Sequence, residues 1–307
     1  MQAIMIFIDG VGLGEKNGQI NPLVHTPTPN ISSLIGNKPL CQEASGYDGD
    51  QISLISLDAT LGVPGIPQSA TGQTALFTGE NAPLIMGKHV NRYPHQPLKE
   101  LLRKRGIFTR LKQQKLKPAF INAYRPEFFA DLHNGFTRPY SCSTFLNYYA
   151  DLPFRTLDEL NDGKALYMDI TNEFLDRMGY PVEIIKPEKA GERLVDISRG
   201  YDFILFEYFL SDLVGHQADL IEAGKIVNKL DRFLGSILQN VDEETLLIIT
   251  SDHGNLEDAS CSQHTLNPVF GLVSGPRIWR DYIAETLRDI TGLTDLFCQF
   301  LGVEEKT

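Results

Sequence analysis

Five short apolar runs punctuate the chain: AIMIFI at 3–8, AFINAY at 119–124, FILFEYF at 203–209, LLIITS at 246–251 and PVFGLVS at 268–274. They are nearly continuous rather than alternating, and rich in β-branched and aromatic residues. Strands buried on both faces have this pattern. Between the runs the period lengthens. PLKELLRKRG at 97–106 sets Leu98, Leu101 and Leu102 on one helical face and stops at Gly106. DLIEAGKIVNKLDRFLGSILQNV at 219–241 places Leu220, Ile226, Leu230, Phe233, Leu234 and Leu238 along a helical stripe. Strands alternating with helices predict an α/β fold, a mainly parallel sheet with helices on both faces.

Residues 125–192 break the pattern. They are rich in Tyr, Phe, Asp and Asn, and the helical pieces STFLNYYADL and DITNEFLDRMG have no clear strand between them. This stretch is expected to be a small, mostly helical cap inserted into a core built from 1–124 and 193–307.

The bulk composition narrows the function classes. Of 307 residues, 42% are hydrophobic and 22% charged, ordinary values for a globular chain, and the net charge is −11. Such an acidic chain is a poor general binder of nucleic acid or anionic membrane. An anionic substrate would need locally placed cations or bound metal. Cys41, Cys142, Cys261 and Cys298 are scattered, with no CxxC pair. That argues against a disulfide framework and a thiolate zinc site. The N-terminal run stops at Asp9 and reads as a strand rather than a leader. No apolar run approaches the roughly 18 residues of a membrane helix. The expected location is the cytoplasm.

Acids and histidines gather where the strands end. The first strand ends at Asp9 in IFIDGVG. The third runs into LSDLVGHQAD, with Asp212 and His216. The fourth runs into SDHGNLED, with Asp252 and His253. His264, in SQHTLNP, precedes the last strand. Ligands of open α/β sheets bind beyond the carboxyl ends of the strands, so these residues are expected to converge. Asp212 and His216 are four apart and share a face if a helix begins there. Carboxylates and imidazoles suit Zn or Mn, and six ligands suffice for two metals. Any one of these residues alone reads as a turn, a cap or a surface histidine; their joint placement carries the reading. DGVGLG does not match the dinucleotide fingerprint G-x-G-x-x-G, because Glu15 stands where the last glycine is needed.

GIPQSATGQTALFTGE at 65–80 crowds small and hydroxyl residues into a turn, after which TALFTG is expected to start a short helix. A hydroxyl at a helix N-terminus sits among free N–H groups, a good place for phosphate. Taken alone, it reads more readily as an ordinary Ser/Thr cap.

Taken in order, IDGVGLG, SATGQ, DLVGH, SDHGN and QHTLNP resemble the alkaline phosphatase superfamily. Within it, the chain is most similar to the metalloenzyme group of cofactor-independent phosphoglycerate mutase and phosphopentomutase. The resemblance covers roughly 1–85 and 195–307, including the closing helix LRDITGLTDLFCQFLGV. It implies two divalent metal ions, Mn or Zn. Asp212, His216 and His264 would hold one; Asp9, Asp252 and His253 would hold the other. Ser69 would contact the metals and take up the phosphoryl group, with Thr71 as runner-up. Gln73 stands where the mutases carry His, so the nucleophile motif matches only in part. Lys88, Arg92, Arg125 and Arg138 are candidate substrate cations, and GKHVNRYPH puts Lys88, His89 and Arg92 within reach of the nucleophile turn. The implied function is two-metal phosphoryl transfer through a phosphoserine, either hydrolysis of a small phosphorylated metabolite or intramolecular transfer by a mutase. A non-catalytic metal-binding protein on the same fold is the third reading. Chemically competent residues at all seven matched positions count against it. A sulfatase would need C/S-x-P-x-R, which SATGQ lacks.

Overall fold

The computed structural model describes residues 1–303; the last four residues of the 193–307 segment lie outside the described residues. Seven strands form one sheet: β1 (Gln2–Ile8), β2 (Tyr47–Asp48), β3 (Ile52–Leu57), β4 (Pro118–Phe120), β5 (Phe203–Tyr208), β6 (Thr245–Thr250) and β7 (Val269–Ser274). Their order is β2-β3-β7-β6-β1-β5-β4. β4, β5, β1 and β6 pair in parallel. β6–β7, β7–β3 and β3–β2 pair antiparallel. The sheet is therefore mixed, with its parallel half in the centre and at one edge.

Alternate residues of β1 enter opposite cores. Ala3, Met5 and Phe7 pack on one side, and Ile4, Ile6 and Ile8 on the other. β5 and β6 divide in the same way. A strand facing two cores has no polar face to display, which accounts for the continuous apolar runs. One core is covered by the helices Ser69–Thr78, Gln96–Arg105, Cys142–Tyr149 and Gly292–Phe300, the other by Pro187–Ser198 and Leu220–Asn240.

Three details depart from the expected elements. β3, ISLISL, was not among the expected strands because its serines interrupt the apolar run. The strand expected at 119–124 closes at Phe120. The helix expected from Thr74 begins at Ser69, five residues earlier. Within 125–192, Cys142, Phe145 and Leu146 pack into the same core as Leu98 and Leu102, while Leu160, Ala165, Tyr167 and Leu175 form a smaller cluster of their own. Among the described residues no helix is long and apolar enough to cross a membrane.

Candidate active site

The topology itself assembles the site. β1 lies between β5 and β6, all three parallel, with Ile8 beside Tyr208 and Phe7 beside Thr250. Asp9, the segment carrying Asp212, and Asp252 therefore leave the sheet at one edge. β7 runs opposite to β6, so the loop bearing His264 starts from that edge too. β3 runs opposite to β7 and hence with β6, which sends the following loop and Ser69 to the same place.

Two overlapping groups form there. Ligand atoms of Asp9, Asp252 and His253 lie within 4.8 Å of one another, as do those of Asp212, His253 and His264. His253 belongs to both. His216 joins at the outer edge, its Nε2 3.3 Å from Asp212 Oδ2 and 3.3 Å from His264 Nε2. The rings of His253 and His264 stack with centroids 3.7 Å apart. Ser69 Oγ lies 3.1 Å from His253 Nε2. As the first residue of its helix, Ser69 stands at the positive end of ten residues of aligned peptide dipoles.

Backbone carbonyls set the histidine tautomers. Nδ1 of His216 donates to Ser262 O at 2.8 Å, Nδ1 of His264 to Pro67 O at 2.9 Å, and Nδ1 of His253 to Gly254 O at 3.4 Å. A carbonyl only accepts, so each Nδ1 carries a hydrogen, and in the neutral ring each Nε2 presents a lone pair inward. Metal-ligating histidines are commonly oriented in this way. Facing them are two buried carboxylate oxygens without a hydrogen-bond partner, Asp9 Oδ1 and Asp252 Oδ2. Each lies 3.4 Å from His253 Nε2. Lone pairs and carboxylates converging in a buried space repel one another unless a cation stands among them. The donor set therefore fits divalent metal.

The protonation equilibria carry the same tension. Burial, then the Asp252 charge, pushes Asp9 well above the usual carboxyl range. Burial, then Asp212, pushes Asp252 up to about 7. Burial and the neighbouring His264 charge push His253 down to about 3. Burial opposes ionisation of Asp212 too, but the His264 hydrogen bond and the nearby imidazoles hold it at about 2. Burial pulls His264 down more than any single group raises it, but its bonds to Asp212 and to the Pro67 carbonyl together with the Asp212 and Asp252 charges leave it raised.

The remaining candidates fall elsewhere. Thr71 is engaged with backbone: its hydroxyl donates to Gln68 O at 3.2 Å and accepts from Val90 N–H at 3.1 Å. Lys88 and His89 line an open groove of about 500 Å³ with Pro64, Gly65, Ile66, Gln68 and Asn91. Through Gln68 this groove adjoins Ser69. Arg92 is exposed. Arg125 leads into the helix Pro126–His133 and reaches Met178 Sδ at 3.4 Å. The Arg138 N–H bonds Asp131. Among the described residues, none of these four cations hydrogen-bonds an acid, histidine or serine of the cluster.

Sequence reasoning passed over two polar residues that the structure buries here. Asn255 donates to Asp212 Oδ1 at 2.6 Å, and Glu257 accepts from Gly12 N–H at 2.8 Å. The signal was available: DHGNLE is a polar run directly after a buried strand, and all of it is buried. Gln73, the departure from the mutase motif, donates to Asp9 Oδ2 at 3.1 Å.

Residues 185–301 match the Metalloenzyme superfamily. The 2,3-bisphosphoglycerate-independent phosphoglycerate mutase of Wolinella succinogenes is 28% identical over 195 residues, covering 59% of this chain and 38% of that mutase. The same enzyme of Roseobacter denitrificans is 34% identical over 135 residues, covering 39% of this chain and 26% of that mutase. The matches thus span well under half of those relatives' length. Among solved structures, phosphoglycerate mutase from Leishmania mexicana aligns with TM-score 0.58 and 10% identity, covering 99% of this chain and 96% of that one. Alkaline phosphatase from the Antarctic bacterium TAB5 aligns with TM-score 0.53 and 13% identity, covering 99% of each chain. At these identities the likeness is one of fold.

Proposed function

We propose that this chain, whose residues 185–301 match the Metalloenzyme superfamily and which resembles 2,3-bisphosphoglycerate-independent phosphoglycerate mutase, transfers phosphoryl groups through a covalent phosphoserine at Ser69. The observation that carries the proposal is the position of Ser69 Oγ, 3.1 Å from the one histidine shared by both ligand groups and at a helix N-terminus. Two divalent ions, Mn or Zn, are the proposed cofactors. Asp9, Asp252, His253 and Ser69 would hold one, and Asp212, His216 and His264 the other. Bound there, such ions polarise phosphoryl oxygens and lower the pKa of a nearby hydroxyl.

The residues of the chain supply the rest. Ser69 Oγ attacks phosphorus, the bond to the leaving alcohol breaks, the hydroxyl proton passes to solvent, and solvent protonates the leaving alkoxide. The amides of Ser69 and Ala70, at the start of the Ser69–Thr78 helix, would face the charge that develops; those of Thr71 and Gly72 bond Val90 O and Gln68 O. Water then cleaves the phosphoserine and releases phosphate. Lys88, in the groove beside Gln68, is the proposed cation for the substrate's distal anionic group. Arg92 and Arg125 remain weaker candidates. We keep 125–192 as a proposed cap, tied to the core through the helix Cys142–Tyr149. Four cysteines without disulfides are consistent with a reducing, cytoplasmic setting.

A second reading, intramolecular transfer, is favoured by the relatives' description as mutases. The two readings differ only in whether water reaches the phosphoserine. Hydrolysis of a generic phosphate monoester by chelator-stripped protein, with Mn or Zn added back, tests the first. Metal-dependent release that is lost in Ser69→Ala supports the phosphatase. Tight metal binding with no release favours the mutase. Neither release nor metal binding refutes both.

A further inference from the structure

Three stretches carry Asp9, Asp252, His253 and His264: 9–14 after β1, and the two ends, 251–258 and 262–268, of the β6–β7 connection; Asp212 and His216 come separately from the segment after β5. One buried side chain touches all three. Glu257, 1% exposed, accepts at Oε2 from the N–H groups of Gly12 and Asn255, each at 2.8 Å. Its Oε1 accepts from the Thr265 hydroxyl and from Asn267 Nδ2 at 3.1 Å. That makes four donors, none of them cationic, drawn from the loop after β1 and from both ends of the β6–β7 connection. The backbone has been cut back to admit this carboxylate. A Cβ on Gly12 would lie 2.5 Å from Glu257 Oε1, and one on Gly254 would lie 2.3 Å away. Gly12 in DGVG and Gly254 in DHG therefore form the walls of a carboxylate slot, which gives the first motif a purpose unrelated to a dinucleotide.

We infer that Glu257 is a positioning residue that fixes Asp9, the Asp252–His253 pair and His264 as one preorganised ligand set, and so governs metal affinity without touching the metal. The inference rests on the two-metal reading above. A carboxylate can serve here because both oxygens accept only. Glutamine would offer one oxygen and one donating nitrogen. The oxygen could keep Gly12 and Asn255, while the nitrogen would oppose the Asn267 amide and force the Thr265 hydroxyl to turn. Glu257→Gln should thus hold the loop after β1 and the start of the β6–β7 connection, and loosen the end of that connection that carries His264.

The test is calorimetric Mn²⁺ binding to chelator-stripped full-length protein, with thermal unfolding measured in parallel. Variants are Glu257→Ala, Glu257→Gln, Thr265→Val, Gly12→Ala and the Gly12→Ala/Glu257→Ala pair. Removing a partner that orients ligands costs about 10–100-fold in metal affinity, the loss expected for Glu257→Ala. Glu257→Gln and Thr265→Val should lose less. Gly12→Ala should weaken binding in the wild-type background but add less once Glu257 is gone, because the carboxylate it strikes hardest is absent and only the tight 3.1 Å approach to Gly254 Cα remains. A folded Glu257→Ala that binds Mn²⁺ as tightly as wild type overturns the inference alone. If Glu257→Ala does not fold, Thr265→Val decides, and unchanged affinity there overturns it equally. Wild-type protein that binds no divalent ion overturns the two-metal reading and this inference with it.

Discussion

His216 and His264 face each other through their Nε2 atoms at 3.3 Å, while the Nδ1 of each is committed to a backbone carbonyl. Two neutral imidazoles held this way present lone pair to lone pair. The contact is favourable only with a positive charge at hand, either a proton or a metal. We therefore expect Mn²⁺ or Zn²⁺ to raise the melting temperature of stripped protein, by about 2.7 kcal/mol of stabilisation at a hundredfold excess over Kd. Replacing His264 with Ala should shrink that shift, which scanning calorimetry with and without metal would read.

The two hydroxyls of SATG should separate cleanly. Ser69→Ala is expected to abolish the covalent phosphoenzyme with little loss of stability. Thr71→Ala should leave phosphorylation in place and cost about 1–3 kcal/mol, because it strands the buried Val90 N–H. Acid-quenched labelling and denaturant melts of both variants check this. Loss of labelling in Thr71→Ala alone would move the nucleophile.

Glu207 gives the protein a pH dependence of its own. Burial pushes its carboxyl up to about 7 from an ordinary 4.5, against an opposing hydrogen bond from Ser143. The folded state therefore holds a proton that the unfolded chain has released. Stability should fall as pH rises from about 4.5 to 7 and then level off, with Glu207 accounting for on the order of 3 kcal/mol at most. Asp252 acts in the same direction in metal-free protein. Glu207→Gln should flatten part of that slope. Urea melts at pH 5 and 7.5 read the difference, and equal slopes in both proteins would contradict it.

Phe7 and Phe77 meet edge to face at 5.5 Å, joining the strand that ends at Asp9 to the helix that begins at Ser69. Phe7→Ala should cost about 3–5 kcal/mol. Because the contact links two parts of the site, Mn²⁺ affinity should weaken in parallel, which titration of the folded variant would show.

Much of this architecture was legible from polarity alone. Runs such as AIMIFI are continuous because both faces of β1 are buried, and the acids at their ends mark the shared edge of parallel strands. β3 was less visible because Ser53 and Ser56 interrupt it: Ser53 is buried against Asp48 and Ser56 is exposed. The early start of the Ser69–Thr78 helix was hidden by Ser69, Thr71 and Gly72, weak helix formers that are tolerated because the whole helix is buried. His253 as a member of both ligand groups could not be read from spacing, since it follows from three-dimensional convergence. Glu257 was hidden for the opposite reason. Half of its partners are backbone N–H groups, which leave no mark in the sequence beyond the glycines that make room, and the other half, Thr265 and Asn267, lie several residues along the chain.

The central claim is that Ser69 carries the phosphoryl group in a metal-dependent step. Its most direct test is intact-mass and peptide analysis of Mn²⁺-loaded protein, acid-quenched during turnover of a phosphate monoester. The account predicts one added phosphoryl group, on Ser69, absent without metal and absent in Ser69→Ala. Metal-dependent turnover that continues undiminished in Ser69→Ala, with no phosphorylated peptide, would contradict it.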